Sequence, residues 1–280
     1  RGTCVYEKIF PMPVFSTEER VYLQFDGVNA SAKVILNGAA VMTHDGGYAT
    51  FRCDITDYLK QENHLAVEVD NSVNDRVYPQ KADFTFYGGI YRDVKLITVN
   101  QHHFDLDHFG GPGIAVHAEV NGKDASVWVR TWHNAENGTV SIVLKDAAGN
   151  VVAAGQGTDT EILISNVHLW DGLEDPYLYT CEATLMIQGQ TVDMVSTRFG
   201  ARYYHVDPQK GFFLNGRSYP LRGVCRHQDW RGIGNALHKE HHDTDMAMIR
   251  EIGANTIRLA HYQHDQYFYD LCDEYGFVVW

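Results

Sequence analysis

The sequence predicts a chain of several domains, in which two β-sandwiches are followed by the start of a parallel α/β barrel. Over residues 1–200, short apolar runs with the two-residue alternation of strands recur between turns rich in Gly and Asn. From about residue 201, strand-like and helix-like segments alternate instead, which is typical of a parallel sheet covered by helices. The length of 280 residues is enough for two or three domains.

Residues 1–100 are predicted to form the first sandwich. We expect its N-terminus to be incomplete, because the sequence enters strand-like residues directly after Arg1. The pair Asn37-Gly38 is a hairpin-turn signal at the end of an apolar run. Regularly spaced short strands of this kind indicate a sandwich or a jelly roll. Strands are expected at residues 21–25, 33–36, 65–69 and 94–97.

Residues 101–200 are predicted to form a second, immunoglobulin-like sandwich, because about 100 residues again hold many short strands. The stretch at residues 110–113 is either a linker or a loop of this domain. Trp128, Trp132 and Trp170 lie on apolar strand patterns, so we predict that they are core residues rather than platforms for sugar stacking. Strands are expected at residues 125–132, 140–144 and 177–185.

Residues 201–280 are predicted to hold the first strands and helices of an incomplete barrel, since a complete eightfold barrel takes roughly 250 residues. One helix is expected at about residues 240–252, with Met246, Ile249 and Ile252 on one face and Gly253 as its C-cap. A second helix is expected between the N-cap Asp265 and Gly276, with its apolar face formed by Phe268, Leu271, Cys272 and Tyr275. Strands are expected at residues 221–224, 256–259 and 277–280.

Composition excludes several classes of partner. The net charge of −13 and the lack of clustered Lys and Arg argue against nucleic acid. No apolar run approaches the roughly 20 residues needed to cross a bilayer, so no membrane partner is predicted. The five cysteines are scattered, without the spacing of a disulfide framework or a zinc ribbon. We therefore expect reduced thiols, mostly in the core, and a cytoplasmic location.

Several strings resemble family 2 glycoside hydrolases, and they follow one another in the order of that family. The strings RGVCRHQD (residues 222–229) and GANTIRLAHY (residues 253–262) resemble the entry into the family's catalytic barrel. DFTFYGGIYRDV (residues 83–94) resembles its sugar-binding jelly roll, which is galactose-binding-like, and DPYLY (residues 175–179) resembles its immunoglobulin-like domain. Within the family, the Arg-His-Gln-Asp version resembles bacterial β-galactosidases.

The resemblance implies a set of substrate-binding residues. His227 and His261 follow the first two barrel strands, where active sites of such barrels lie, and the matching positions of the family contact the sugar. Arg258 could hold a carboxylate by charge-assisted hydrogen bonding. Asp83 could bind sugar hydroxyls and an alkali ion. The alternative is that the two histidines only tie strand ends together and that Asp83 is a turn former.

Other polar residues are predicted to be structural. The cluster His238, His241 and His242 has helical spacing, but we expect a solvated helix face rather than a metal site. Arg92 and Asp93 are expected to form an ion pair or a turn. His102 and His103 are assigned no role.

The function that the resemblance implies is retaining hydrolysis of terminal β-galactosides in carbohydrate metabolism. The same family with β-glucuronidase or β-mannosidase specificity is an alternative, and a non-catalytic carbohydrate-binding protein is an alternative of another class. No catalytic residue is expected in residues 1–280, because the two carboxyl groups come from later barrel strands, so the segment alone should be inactive. No cofactor is expected within the segment, whereas the full-length parent could bind Mg and Na and could form a homo-oligomer.

Overall fold

The computed structural model describes residues 1–78 and 80–280. The chain forms two compact units. The first unit consists of Arg1–Gln101, Phe109–Gly111 and Gln228–His238, and the second of His102–His108, Pro112–His227 and Lys239–Trp280. The division into three domains at residues 100 and 200 stays a prediction.

The first unit contains a β-sandwich of antiparallel strands. Its strands are β1 (Thr3–Pro11), β2 (Glu19–Phe25), β3 (Val28–Asn29), β4 (Ser31–Leu36), β5 (Ala39–Asp45), β6 (Phe51–Asp54), β7 (Glu62–Asp70), β8 (Gly89–Ile90) and β9 (Val94–Asn100). One sheet has the order β1-β7-β4-β5 and the other β6-β2-β9, while β3 pairs with β8. Alternate residues of β2, β4, β6 and β7 are buried in one shared core, which lies between the two sheets.

The second unit begins with another antiparallel sandwich. Its strands are β10 (Ile114–Asn121), β11 (Asp124–Thr131), β12 (Thr139–Lys145), β13 (Val151–Gln156), β14 (Asp159–Ile164), β15 (Tyr179–Ile187) and β16 (Gln190–Phe199). The two sheets have the orders β10-β11-β14 and β13-β12-β15-β16. Their inward residues form a continuous apolar core, as the immunoglobulin-like prediction requires.

The three tryptophans of this region have different surroundings. Trp170 is buried beside Leu214 and Tyr219, as predicted. Trp132 is half-buried and stacks on His108, with 3.7 Å between the ring centroids. The core prediction for Trp128 is wrong, because its side chain is 40% exposed. The fully buried Val127 and Val129 point into the sandwich, and the two-residue alternation of a strand turns Trp128 to the opposite face.

The last part of the second unit is the start of a parallel α/β fold. A short hairpin region of β17 (Tyr204–Asp207), β18 (Gly211–Leu214) and β19 (Arg217–Ser218) comes first. It is followed by β20 (Gly223–Arg226), α1 (Lys239–Glu251), β21 (Thr256–Leu259), α2 (Gln266–Tyr275) and β22 (Val278–Val279). The last three strands form a parallel sheet in the order β20-β21-β22. The predicted order of two sandwiches and a parallel α/β start is therefore confirmed.

The ends of the two helices follow local sequence signals. The Asp265 side chain accepts a hydrogen bond from the Tyr267 amide, as an N-cap does. Gly276 ends α2 with φ of 80°, the left-handed conformation that glycine favours. Ile252, predicted on the buried face of α1, is instead 67% exposed, because it follows the last helical residue. Tyr275, predicted on the apolar face of α2, is 37% exposed.

Within the described residues, neither helix is long and apolar enough to cross a membrane, since α1 has 13 residues and α2 has 10.

Candidate functional site

Two parallel strands bring His227 and His261 together. Arg226, the last residue of β20, is in register with Leu259, the last residue of β21. The amide of Ala260 donates to the Arg226 carbonyl at 3.0 Å, which continues the pairing to the point where both histidines leave the sheet. The ring centroids of His227 and His261 are 5.5 Å apart, and the rings are nearly perpendicular, at 81°. The structure thus places the pair at the carboxyl end of the sheet, as the sequence predicted.

Arg258 contacts His261 directly. Its guanidinium donates from Nη2 to Nδ1 of His261 at 2.9 Å. Because a guanidinium has only donors, Nδ1 of His261 must accept, which places the proton of the neutral imidazole on Nε2. Arg258 therefore orients His261 and makes its Nε2 a hydrogen-bond donor. Its guanidinium also lies 5.6 Å from the centre of the Trp280 ring.

Tyr262 lies beside the two histidines at the strand ends, and the sequence did not single it out. Its hydroxyl lies 3.5 Å from Nδ1 of His227, at the outer limit of a hydrogen bond, and the two ring centroids are 5.9 Å apart. The available signal was its position next to His261, because a residue that follows the end of a strand lies at the same edge of the sheet as that strand end. We define the rim cluster as His227, Arg258, His261 and Tyr262.

A buried arginine, Arg226, comes directly before His227 of the rim cluster in the sequence. Arg226 is only 5% exposed, and its Nη2 is 2.7 Å from a carboxylate oxygen of Asp245 on α1. It donates to Nδ1 of His264 at 2.9 Å and to Nδ1 of His242 at 3.0 Å. The guanidinium carbon lies 3.9 Å from the ring centre of Phe268 on α2. Burial lowers the pKa of the Arg226 guanidinium, and the charge of Asp245 opposes this effect.

This arrangement corrects one prediction about α1. His242 was expected on a solvated face but is 2% exposed, because it shares the inward face of the helix with Met246 and Ile249. His238 remains exposed and His241 is half-buried. The three histidines therefore do not share one environment. Among residues 1–78 and 80–280, no group of three or more His, Cys, Asp or Glu side chains could hold a metal ion.

The Arg226 group joins the segments that carry the rim cluster. Arg226 immediately precedes His227, and its partner His264 follows His261 and Tyr262 in the loop after β21. Since Arg has only donors, both of its histidine partners accept through Nδ1 and are neutral at that nitrogen. One guanidinium thus fixes the ends of two barrel strands and their packing on α1.

Asp83 lies in the first unit, on an irregular segment between β7 and β8, and its side chain is exposed. The structure brings this segment together with the segment Gln228–His238 of the same unit. Tyr87 donates from its hydroxyl to Asp229 at 3.5 Å, and a Cβ on Gly234 would lie 2.8 Å from the Tyr87 ring. Two loops that are about 140 residues apart in the chain therefore pack closely.

Arg92 makes structural contacts with two backbone carbonyls and a glutamine. It donates from Nη1 to the carbonyl oxygens of Asp26 at 3.2 Å and Tyr48 at 3.0 Å. Its Nη2 donates to the side-chain oxygen of Gln228 at 3.4 Å, and Gln228 is 1% exposed. Asp93 lies 3.8 Å from Lys95. Arg92 thus anchors the start of the segment Gln228–His238.

A cavity of about 650 Å³ in the second unit shares no residue with the rim cluster. Four of its charged lining residues pair within the chain: Lys145 donates to Glu182 at 2.6 Å, and Arg198 pairs with Glu274. Barrel enzymes place their chemistry at the carboxyl ends of the strands, and this cavity is lined by other positions. The rim cluster is therefore the better candidate for a functional site.

The chain has two sandwiches followed by a parallel α/β segment with imidazoles at its strand ends. This domain order is typical of multidomain glycosidases. Sequence models confirm this class domain by domain. Residues 1–100 match the glycosyl hydrolases family 2 sugar-binding domain, residues 112–202 match glycosyl hydrolases family 2, and residues 206–280 match the family 2 TIM-barrel domain. The chain belongs to glycosyl hydrolase family 2.

Individual relatives carry two different activity names. The chain is 39% identical to a β-glucuronidase of Bacteroides fragilis, over 100% of this chain and 43% of that protein. It is 32% identical to a β-galactosidase of Bacteroides ovatus, over 99% of this chain and 34% of that protein. A crystal structure of an FMN-binding β-glucuronidase from Faecalibacterium prausnitzii L2-6 has 43% identity and a TM-score of 0.94, covering 99% of this chain and 44% of that one. The chain thus spans less than half the length of these relatives.

Proposed function

We propose that the protein containing this chain hydrolyses terminal β-glycosides with retention, and that this chain supplies part of its sugar-binding site. The observation that carries the proposal is the pairing of His227 and His261 at the ends of adjacent parallel strands, 5.5 Å apart. Membership of the family supports the reaction class. A sugar hydroxyl placed between the two rings would meet a hydrogen-bonding imidazole on both sides.

The roles of the two rim histidines are proposed from their hydrogen bonds, and that of Asp83, outside the rim cluster, from its exposure. His261 donates through Nε2 to a sugar oxygen, because Arg258 occupies its Nδ1. His227 lies with Nδ1 toward the Tyr262 hydroxyl, and the opposite edge of its ring, with Nε2, is proposed to contact the sugar. Asp83, as an exposed carboxylate, accepts hydrogen bonds from sugar hydroxyls and could supply one oxygen ligand to an alkali ion.

The bond-breaking carboxyl groups are proposed to come from outside residues 1–280. Retention needs two carboxyl groups roughly 5 Å apart, one as acid and then base and one as nucleophile. Glu240 and Glu251 are exposed on α1, and Glu274 pairs with Arg198 on the sandwich. None of these three positions lies at the carboxyl end of a barrel strand. A polypeptide of residues 1–280 should therefore show no turnover of a chromogenic β-glycoside above a mock preparation.

We place β-glucuronides first among the substrates. The support is that the relative at 39% identity and the structure at 43% identity both carry the β-glucuronidase name. β-Galactosides are the second candidate, because the Arg-His-Gln-Asp string at residues 226–229 resembles β-galactosidases and the relative at 32% identity carries that name. The complete protein should cleave 4-nitrophenyl β-glucuronide with a kcat/KM at least tenfold above that for 4-nitrophenyl β-galactoside. The reverse ratio would make it a β-galactosidase.

The site residues are tested in the complete protein with matched substitutions. His227→Asn and His261→Asn should each lower kcat/KM by roughly tenfold or more, the equivalent of about one lost hydrogen bond. His102→Asn, at an exposed histidine without an assigned role, should leave it unchanged. Asp83→Asn should also lower kcat/KM, with the exposed Asp75→Asn in the same inter-strand segment as its control. Unchanged kinetics in both His227→Asn and His261→Asn would refute the rim cluster as the sugar site.

A further inference from the structure

The outer face of the sheet β10-β11-β14 presents an exposed tryptophan between polar side chains. Trp128 lies on the central strand β11 and is 40% exposed. The register places His117 of β10 directly opposite it on one side and Glu161 of β14 on the other. Directly opposed residues of neighbouring strands have Cβ atoms about 5 Å apart. The indole is therefore flanked within one side-chain length by an imidazole and a carboxylate.

The cross-strand rows of residues on either side of Trp128 lie on the same face of the sheet. On one side, Arg130 is paired with Asp159 at 3.1 Å, and both side chains are more than half exposed. On the other side, Ser126 lies between Glu119 and Leu163, and Leu163 is 59% exposed. We call this face the Trp128 surface, and its members are Glu119, His117, Ser126, Trp128, Arg130, Asp159, Glu161 and Leu163.

The size and charge of the Trp128 surface narrow the class of ligand. A stable protein interface buries about 800 Å² on each partner, whereas the exposed apolar part here is one indole, one leucine and the small Ala115 opposite Arg130. Three carboxylates and one guanidinium give an acidic surface, which disfavours nucleic acid and other polyanions. A neutral ligand with one flat apolar face and a polar edge fits both properties.

A pyranose ring has this form. Its axial C–H bonds make an apolar face that stacks on an indole, and its equatorial hydroxyls project sideways, where donors and acceptors can bind them. His117 and Ser126 offer donors, while Glu161 offers an acceptor. Small-molecule sites combine an aromatic surface with a few placed polar groups in the same way.

We propose that the Trp128 surface binds neutral oligosaccharides, separately from the rim cluster. It lies outside residues 1–100, the part of the chain that matches the family's sugar-binding domain. It requires no hydrolysis, so it stands or falls independently of the proposed activity. Glycans that carry uronate groups are disfavoured, because Glu119 and Glu161 repel them and Asp159 already pairs with Arg130.

The test is native affinity electrophoresis of the complete protein through gels that contain a soluble polysaccharide. The probes are a neutral β-glucan, β-galactan and β-mannan, and polygalacturonate as the anionic probe. The wild-type protein should be retarded by at least one neutral polysaccharide and not by polygalacturonate. Trp128→Ala should weaken that retardation at least tenfold in apparent association constant, and Glu161→Ala should weaken it severalfold. Tyr204→Ala, at an exposed aromatic residue on β17, is the matched control and should bind as the wild type does.

Two further measurements distinguish glycan binding at the Trp128 surface from catalysis and from self-association. Hydrolysis of a small chromogenic glycoside should be the same in the wild type, Trp128→Ala and Tyr204→Ala, because Trp128 lies outside the rim cluster. If no chromogenic glycoside is cleaved, the proposed activity is refuted, but the binding assay still tests whether the Trp128 surface binds glycans. Equal retardation of Trp128→Ala and wild type, or no retardation by any neutral polysaccharide, overturns the proposal. A dimer in light scattering that becomes a monomer in Trp128→Ala also overturns it, in favour of an interface between copies.

Discussion

The ion pair between Arg226 and Asp245 should be one of the most costly polar contacts in this chain to break. The side chains of Arg226 and Asp245 are 5% and 16% exposed, and their charged groups are 2.7 Å apart. In Asp245→Asn the guanidinium stays buried with its two imidazole partners but without a counter-charge. Removing one partner of a buried pair costs about 3–5 kcal/mol. Because asparagine keeps an oxygen that can accept a hydrogen bond, we expect the lower end, about 3 kcal/mol.

The matched control is an ion pair of the same residue types on the surface. The side chains of Arg130 and Asp159 are 64% and 57% exposed, at 3.1 Å. Exposed pairs contribute about 0.2–1 kcal/mol, because water and salt screen them. Asp159→Asn should therefore cost less than about 1 kcal/mol.

Hydrogen exchange of the complete protein measures both costs locally, which avoids assuming that a multidomain chain unfolds in one step. In Asp245→Asn, amides of α1 (Lys239–Glu251) should exchange roughly 100-fold faster, since 1.36 kcal/mol is tenfold. In Asp159→Asn, amides of β14 should exchange at most about fivefold faster. A double variant, Arg226→Met with Asp245→Leu, should recover much of the protection, because no unpaired charge remains. Equal protection of α1 in the wild type and Asp245→Asn would refute this account.

Three further predictions concern helix ends and thiols. Gly276→Ala should destabilise the second unit in thermal unfolding by at least about 2 kcal/mol more than Gly253→Ala. Both glycines have positive φ, but only a Cβ at position 276 would meet a backbone oxygen, at 2.1 Å. Equal melting temperatures of the two variants would contradict this. Asp265→Ala should cost about 1 kcal/mol through loss of the α2 N-cap, and Asp265→Asn should restore most of it. Cys225, which is exposed, should react with a thiol reagent in the native protein at pH 8. Cys272 should react only after unfolding, because burial raises its pKa to about 12; peptide mapping that finds Cys272 labelled first would show the burial to be wrong.

Local sequence signals were enough to predict most of the fold. The strand β21 (Thr256–Leu259) was predicted with its observed bounds, and the caps Asp265 and Gly276 were both identified. These features depend on a few neighbouring residues, so a single sequence contains the information. Ile252 was misplaced because helical periodicity does not mark the residue at which a helix ends.

The candidate site was predicted less completely, because much of it depends on distant contacts. His227 and His261 were predicted from their positions after strand ends and Arg258 from its charge, and the parallel pairing of β20 with β21 brings them together. Arg226 was passed over and His242 was placed in solvent, since their burial depends on each other and on Asp245, 19 residues from Arg226. A charged residue is predicted to be exposed unless its partner is known, and the partners of Arg226 lie on other elements of the fold.

The packing of the segment Gln228–His238 within the first unit limits how family members can exchange parts. A chimera that takes residues 1–101 from one relative and the rest from another would break the native pairings of Tyr87 with Asp229 and of Arg92 with Gln228. The two stretches pack as one structural block, although Arg92 and Gln228 are 136 positions apart in the chain. Directed evolution that shuffles this family should therefore recover active recombinants mainly when both stretches come from the same parent.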